Sequence, residues 1–253
     1  MKRSRMHRIA VVIPAHNEEV HIAACLAAVG EAARRIASVE SWLRHEVVTF
    51  VVCDACTDRT AEIVRDAGLS PLIVRERNVG AARAAGASAA LRSGADWLAF
   101  TDADTLVTED WLVAQLDLKS DVVCGTIAVE DWGSYDETVR NAFATIYRDS
   151  DGHRHIHGAN MGMSADAYRL AGGFAMLTSS EDVAIVEALE RAGATIAWSA
   201  APRVVTSARV DHRAPMGFGA ALVAAAERFR RLAATEPTET STTSFTLPPF
   251  MSQ

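Results

Sequence analysis

Short apolar runs alternate along the chain with longer stretches in which apolar residues recur at helical spacing. Residues 9–13 (Ile-Ala-Val-Val-Ile) form a continuous apolar run, the pattern of a strand buried on both faces. From Glu18 onward Ile22, Cys25, Leu26 and Val29 follow helical spacing. Residues 47–53 repeat the strand signal, after which Thr57 or Asp58 is placed to cap a helix that carries Ile63 and Val64 and stops at Gly68. Residues 72–74 predict a third strand, residues 80–93 an alanine-rich helix closed by Gly94, and residues 97–100 a fourth strand. Strands and helices alternating in this way need crossover connections, which predicts an α/β protein with a mostly parallel sheet.

The later sequence is less regular. A strand is expected over residues 122–129, a helix over 137–148, and an extended segment over 155–163. A Ser164-capped helix then ends at Gly172-Gly173, and an amphipathic helix over 181–191 is closed by Gly193. Strands follow at 195–198 and near 204–205, then an alanine-rich helix over 217–233. The last stretch is rich in Thr, Ser and Pro without an apolar period, so residues 236–253 are expected to be a flexible tail. Residues 1–7 are expected to be a flexible N-terminus, leaving one domain over 8–235.

Composition narrows the function classes. A chain of 253 residues that is 49% hydrophobic is long enough for one α/β domain with a large core. Its longest weakly polar stretch, residues 216–226, falls short of the roughly 18 to 20 residues of a spanning helix. The basic residues at positions 1–8 and the apolar run after them imitate a leader until Pro14 and His16-Asn17-Glu18-Glu19 interrupt it. Four cysteines do not make a disulfide framework, and Cys53-x-x-Cys56 has no second pair to complete a zinc site, so reduced thiols and a cytoplasmic location are expected. A net charge of −7 argues against a nucleic-acid binder. Lys2 and Lys119 are the only lysines, so almost all positive charge is arginine, suited to gripping phosphate or carboxylate in two-pronged fashion.

The chemistry collects at strand ends, where open parallel sheets bind ligands. These ends read Pro14-Ala15-His16-Asn17-Glu18, Asp54-Ala55-Cys56-Thr57-Asp58 and Asp102-Ala103-Asp104, three acidic loops on one rim. If the backbone stays extended, Asp102 and Asp104 project to one side. Crowded carboxylates call for a hard divalent ion such as Mg2+ or Mn2+, which also bridges to phosphate. Asp54 is placed to accept from a base or ribose, Asp58 to cap its helix, and Glu18 either to face a ligand or to supply first-turn charge. His153, His155 and His157 alternate, so on a strand they would share a face. That face could hold a metal, but His157 beside Gly158-Ala159-Asn160 reads better as a substrate-pocket residue. His212, between Arg209 and Arg213, reads either as a closure over a diphosphate or metal or as a solvated loop.

Val11-Val12-Ile13-Pro14-Ala15-His16-Asn17-Glu18-Glu19, residues 54–60, Asn78-Val79-Gly80 with Arg83, and Thr101-Asp102-Ala103-Asp104 together resemble the nucleotide-sugar half of glycosyltransferase family 2. Gly158-Ala159-Asn160-Met161-Gly162, Gly172-Gly173-Phe174 and Glu181-Asp182 resemble its acceptor half. The resemblance covers residues 8–235, divided at 105/106, and its specificity lies in the order of the motifs. It implies a GT-A, Rossmann-like sandwich with helices on both faces of the sheet. The implied activity is a Mg2+- or Mn2+-assisted inverting transfer from a nucleoside diphosphate sugar, UDP- or GDP-linked, to a hydroxyl acceptor. By the same resemblance Pro14, Ala15 and Glu18 line the nucleoside pocket, Asp54 contacts the base, Arg83 the diphosphate or base, and Asp102 the ribose and metal region. Asp104 is then the metal ligand and Asp182 the general base, with Glu181 competing. Two departures stand out: Cys53 where many relatives carry a first Asp, and Ala55-Cys56 in place of the commoner Gly-Ser.

The rival readings are a catalytically silent nucleotide-sugar binder and a sugar nucleotidyltransferase. The second lacks a Gly-rich, basic triphosphate loop near the start of the chain, and no G-x-G-x-x-G follows the first strand to support a dehydrogenase. Without a Gln-x-x-Arg-Trp run, single-sugar transfer is expected, and peripheral contact of the final helix with a membrane stays open for a lipid acceptor.

Overall fold

The computed structural model describes residues 6–39, 44–208 and 227. Its first four strands are β1 (Met6–Ala15), β2 (Arg44–Asp54), β3 (Leu72–Val74) and β4 (Trp97–Phe100). They are followed by β5 (Thr105–Val107), β6 (Val122–Ala128), β7 (Met161–Ser164) and β8 (Ile196–Thr206). Among the described residues they form one sheet of order β3-β2-β1-β4-β7-β6-β8-β5. β1 runs parallel to β2 and β4, β2 to β3, and β6 to β8. β7 is antiparallel to both β4 and β6, and β5 to β8.

The continuous apolar run of β1 follows from cores on both faces of the sheet. Ile9, Val11 and Ile13 share one core with Ile22, Cys25 and Val29 of α1 (Ile22–Ser38) and with Trp111 and Leu112. Ala10 and Val12 share the other with Ala87 and Ala90 of α3 (Val79–Arg92) and with Ile185, Val186 and Leu189 of α7 (Glu181–Arg191). The alanines of α3 let it sit close to the sheet: Gly86 lies so near Val12 and Val52 that a Cβ there would collide with Val12. The other helices are α2 (Thr60–Asp66), α4 (Trp111–Asp117), α5 (Glu137–Ile146) and α6 (Ala165–Leu170). The expected α/β sandwich with a mostly parallel sheet is the observed architecture.

Several boundaries differ. β1 starts at Met6, so positions 6 and 7 belong to the sheet rather than to a flexible N-terminus. α1 starts at Ile22, which leaves Glu18 in the preceding loop and removes its first-turn reading. β5 and α4, too short to show a period, were not anticipated. The two strands expected at 195–198 and 204–205 are one, β8, whose pairing with β6 shifts register between Gly125 and Ile127. Of the expected 155–163 segment only residues 161–163 are strand, as the start of β7. Apart from Glu227, which is helical, the expected helix at 217–233, the His212 loop and the tail lie outside the described residues. No described helix is long and apolar enough to cross a membrane.

Candidate functional site

The loops after β1 and β2 are locked to each other largely by backbone atoms. His16 Nδ1 lies 2.6 Å from the Asp54 carbonyl oxygen. Asn17 Oδ1 accepts the Thr57 N–H at 2.7 Å, and the Cys56 thiol donates to the Ala15 carbonyl at 3.3 Å. The Glu18 N–H donates to the Thr60 hydroxyl oxygen (2.7 Å), which itself donates to Asp58 Oδ1 (2.6 Å). Asp58 also accepts the Thr60 and Glu19 amides, so it braces the helix from the residue before the cap position, Arg59. Burial alone would push its carboxyl up, but these hydrogen bonds outweigh it and hold Asp58 below the ordinary range. Asn17 (φ 53°), Ala55 (φ 50°) and Arg77 (φ 48°) take left-handed conformations that L-residues other than Asn and Asp seldom adopt. Such strain concentrates where a surrounding network enforces it.

Asp54 is one source of that enforcement. Its Oδ1 accepts the amides of Glu76 (2.7 Å) and Arg77 (2.9 Å), and its Oδ2 that of Asn78 (2.8 Å). At 4% exposure, this carboxylate organises the β3–α3 loop, whereas the sequence placed it against a nucleotide base. Pro14 and Ala15 end β1 buried beside β2, and Glu18 is 6% exposed.

A second network joins the two halves of the chain at Arg83 on α3. Its guanidinium donates to Asp102 Oδ1 (2.5 Å) and to Glu181 at the start of α7. Gly158 packs against the same guanidinium so closely that a Cβ would clash with it. Burial alone would lower the affinity of Arg83 for its proton, but the charges of Asp102, Glu181 and Asp182 raise it. Arg83 is therefore committed to protein carboxylates, and the contact with a diphosphate read from the sequence gives way to this junction. Glu181 is 4% exposed; its burial pushes its carboxyl up, against the opposing charge of Arg83. Asp182 is only half-buried, and the Gly158 N–H donates to its Oδ2 at 2.9 Å. Asn78 caps α3 by accepting the Ala81 amide (2.8 Å) and donates to the Leu177 carbonyl (2.6 Å), a second tie between the halves.

Beyond β4 the chain turns, with the Thr105 N–H donating to the Asp102 carbonyl at 3.1 Å. Asp102 and Asp104 therefore do not lie on an extended strand as the spacing suggested. The acidic loops do converge: the Cys25 thiol is pushed up by burial first, then by the charges of Asp104, Asp102 and Glu18. Among the described residues no three His, Cys, Asp or Glu side chains gather into a cation cage. The half-buried Asp104, with Asp102 a third exposed beside it, is a hard-oxygen donor set of the kind that holds Mg2+ when substrate phosphate completes the shell.

The acceptor-side candidates divide. Asn160 is fully buried: its Oδ1 accepts the Trp111 indole N–H (2.9 Å), and its amide donates to the carbonyls of Thr126 (2.7 Å) and Pro202. It is a latch between β6, α4 and β8 and not the pocket residue expected, and Ala159 is buried beside it. His153, His155 and His157 precede β7 outside any strand, yet their rings do share a side. They stack at centroid distances of 5.4 and 6.0 Å, and the row continues from His155 onto Tyr147 at 4.2 Å. Face-to-face rings direct their nitrogens along parallel planes rather than at one point, which disfavours the metal reading. His157 is pushed down to about 3, by burial first and then by His155 and His153, and it lies 3.1 Å from the Tyr147 hydroxyl.

Sequence reasoning gave no role to Asn17, Asn78, Trp111 or Tyr147. Asn78 carried a readable signal, an Asn three residues before the amide it caps. The partners of Tyr147 and Trp111 are visible only in three dimensions.

A search of curated protein sequences gives no match. Crystal structures of a S. aureus TarS fragment, residues 1–349, share the fold. The complex with UDP-GlcNAc aligns with a TM-score of 0.60 at 15% identity, over 88% of this chain and 66% of that one. The complex with UDP aligns with a TM-score of 0.55 at 16% identity, over 79% and 60%. The chain thus spans under two thirds of the length of these structures, and at such identities the likeness is one of fold. The family comparison reaches further, because the model described as Glycosyl transferase family 2 matches residues 10–170, well over half of the chain, and with it the acidic rim and Arg83 itself, though not Glu181 and Asp182. The chain belongs to glycosyltransferase family 2 and carries its GT-A type fold.

Proposed function

We propose that the chain transfers a single sugar from a nucleoside diphosphate sugar to a hydroxyl acceptor, with inversion at the anomeric carbon. The observation that carries this reading is the Arg83 junction. It sets the donor-side carboxylate Asp102 and the acceptor-side carboxylates Glu181 and Asp182 around one buried cation. Pro14, Ala15 and Glu18 lie along the nucleoside side, and the UDP and UDP-GlcNAc complexes of TarS support a uridine donor as the first to try.

In this mechanism the acceptor oxygen attacks the anomeric carbon as the bond from that carbon to the diphosphate breaks. The acceptor proton passes to Asp182. Glu181 cannot serve as readily, because it is buried and occupied by Arg83. The Gly158 N–H fixes Asp182 Oδ2, which orients the carboxylate and leaves its other lone pairs for the proton. Asp104, with Asp102 beside it, would hold Mg2+ or Mn2+ together with diphosphate oxygens. When bound, that ion supplies positive charge to the departing diphosphate.

The test is a panel of UDP- and GDP-sugars with Mn2+, read by donor binding and by slow donor hydrolysis or transfer. Asp182→Asn should lower turnover about a hundredfold or more while donor binding persists. Asp104→Ala should weaken donor binding in the presence of Mn2+. Turnover unchanged in Asp182→Asn overturns the assignment of the base, and saturable binding with no turnover in the parent chain favours a silent binder.

A further inference from the structure

Each of the two departures from the family pattern at the end of β2 brings in a cysteine, and both cysteines meet the chain at Ala15. Cys53 and Cys56 flank the Asp54-Ala55 corner, with Ala55 in a left-handed conformation; Cys53 pairs with Ala15 in the β1–β2 ladder, the Cys56 thiol donates to the carbonyl of that same Ala15, and both cysteines pack into one core. Cys53 is fully buried, while Cys56 is partly open to solvent. The Cys56 sulfur also accepts the Asn17 N–H at 3.4 Å and donates to the Ala15 carbonyl at 3.3 Å, so it joins the two loops that border the nucleoside side.

We propose that Cys53 and Cys56 are a peroxide-sensitive dithiol, and that closing their disulfide disables nucleotide binding by the loops after β1 and β2. The second clause rests on the donor site proposed above; the first does not. The Cys56 thiolate attacks one oxygen of hydrogen peroxide, the O–O bond breaks, and Cys56 becomes a sulfenic acid as water leaves. The Cys53 thiol then attacks that sulfur, the S–O bond breaks and a second water departs. The net change is two thiols and one peroxide to one disulfide and two waters. Cys56 is suited to the first step: it is partly open to solvent, and the neighbouring Cys53 thiol first and then the Asn17 amide pull its own thiol down, against burial. Cys53, pushed up and shielded behind it, is suited to the second.

The structural consequence follows from bond lengths. A disulfide draws its sulfurs to about 2.05 Å, far inside any non-bonded contact, which pulls Cys56 away from Ala15 and Asn17. The intervening Asp54 holds the amides of Glu76, Arg77 and Asn78, so the disturbance reaches the β3–α3 loop as well.

The experiment treats the full chain with hydrogen peroxide, then alkylates it under denaturing conditions and digests it with trypsin. Cys53 and Cys56 fall in one tryptic peptide, residues 45–59, while Cys25 and Cys124 fall in others. That peptide should lose two hydrogens and resist alkylation until a thiol reductant is added. UDP affinity should fall about tenfold or more and return on reduction. Cys56→Ser and Cys53→Ser should each abolish the linkage and keep UDP binding through peroxide treatment; if the buried Cys53→Ser variant does not fold, Cys56→Ser alone decides. Oxygen adducts on Cys56 with Cys53 still open to alkylation overturn the proposal, as does a disulfide that leaves UDP affinity unchanged. If the reduced chain binds no UDP, the donor reading fails, and the peptide mass still decides whether the dithiol exists.

Discussion

On the side of β1, β2 and β3 the polar loops are tied to one another through backbone amides and carbonyls, whereas around β6 and β7 the polar groups are sunk among aromatic rings. Asp54 holds three amides of one loop, and Asn17 reaches the next loop by a single amide oxygen. Across the sheet, Asn160 is enclosed by Trp111, Thr126 and Pro202, and the histidines stack on Tyr147. The first arrangement fixes the backbone of the loops at the strand ends through their own amides and carbonyls. The second fixes its side chains and leaves Asp182 as the partly open carboxylate near Gly158. Arg83 is where the two meet.

The comparison breaks most visibly if that meeting point is removed. Arg83→Met should cost about 3 to 5 kcal/mol in urea unfolding, because Glu181 would be left as a buried unpaired carboxylate and Asp102 would lose its partner. A loss below about 1 kcal/mol would mean that the halves are joined by packing alone. Asn160→Ala tests the aromatic side: it strands the Trp111 indole N–H and two carbonyls, for an expected loss of about 2 to 4 kcal/mol without gain of donor affinity.

Asp54→Asn tests the amide-locked side. An Asn there offers only one acceptor oxygen to three amides, so about 1 to 2 kcal/mol should be lost. Faster hydrogen exchange should be confined to residues 76–78, and unchanged exchange there would show that the loop holds itself. The smallest effect sharpens the histidine row. His157 titrates near 6.5 when unfolded and is pushed down to about 3 in the fold, so the unfolded chain binds more protons between those values. Stability is then complete above about pH 6.5 and falls as the pH drops through that window, by about 1 kcal/mol near pH 5.5. Thermal melts across this range should show a shallower decline for His157→Gln than for the parent.

The same contrast sets how much could be read in advance. β1, β2, β3 and β4 and the helices between them follow from local apolar period and short turns, and their cores alternate as the run at 9–13 requires. β5 and the union of β8 could not be read that way, since Thr105–Val107 is a strand only because Val204, Val205 and Thr206 lie beside it. The acidic rim was legible as positions, but the roles of its members depend on distant partners. Asp54 and Arg83 are both turned inward by groups that no spacing rule connects to them. Asn160 was expected in the pocket because its motif resembles the acceptor half of the family, and only the approach of Trp111 and Pro202 makes it a latch.

The sheet order carries a consequence for synthesis. Trp97–Phe100 is apolar and fully buried, yet its outer neighbour in the sheet is Met161–Ser164, which emerges from the ribosome more than sixty residues later. A nascent chain that has assembled its first four strands therefore carries an open, hydrophobic sheet edge for the whole time the intervening segment is being made. Slow translation across residues 101–160 should expose that edge to aggregation or chaperone capture, a vulnerability that ends when β7 docks.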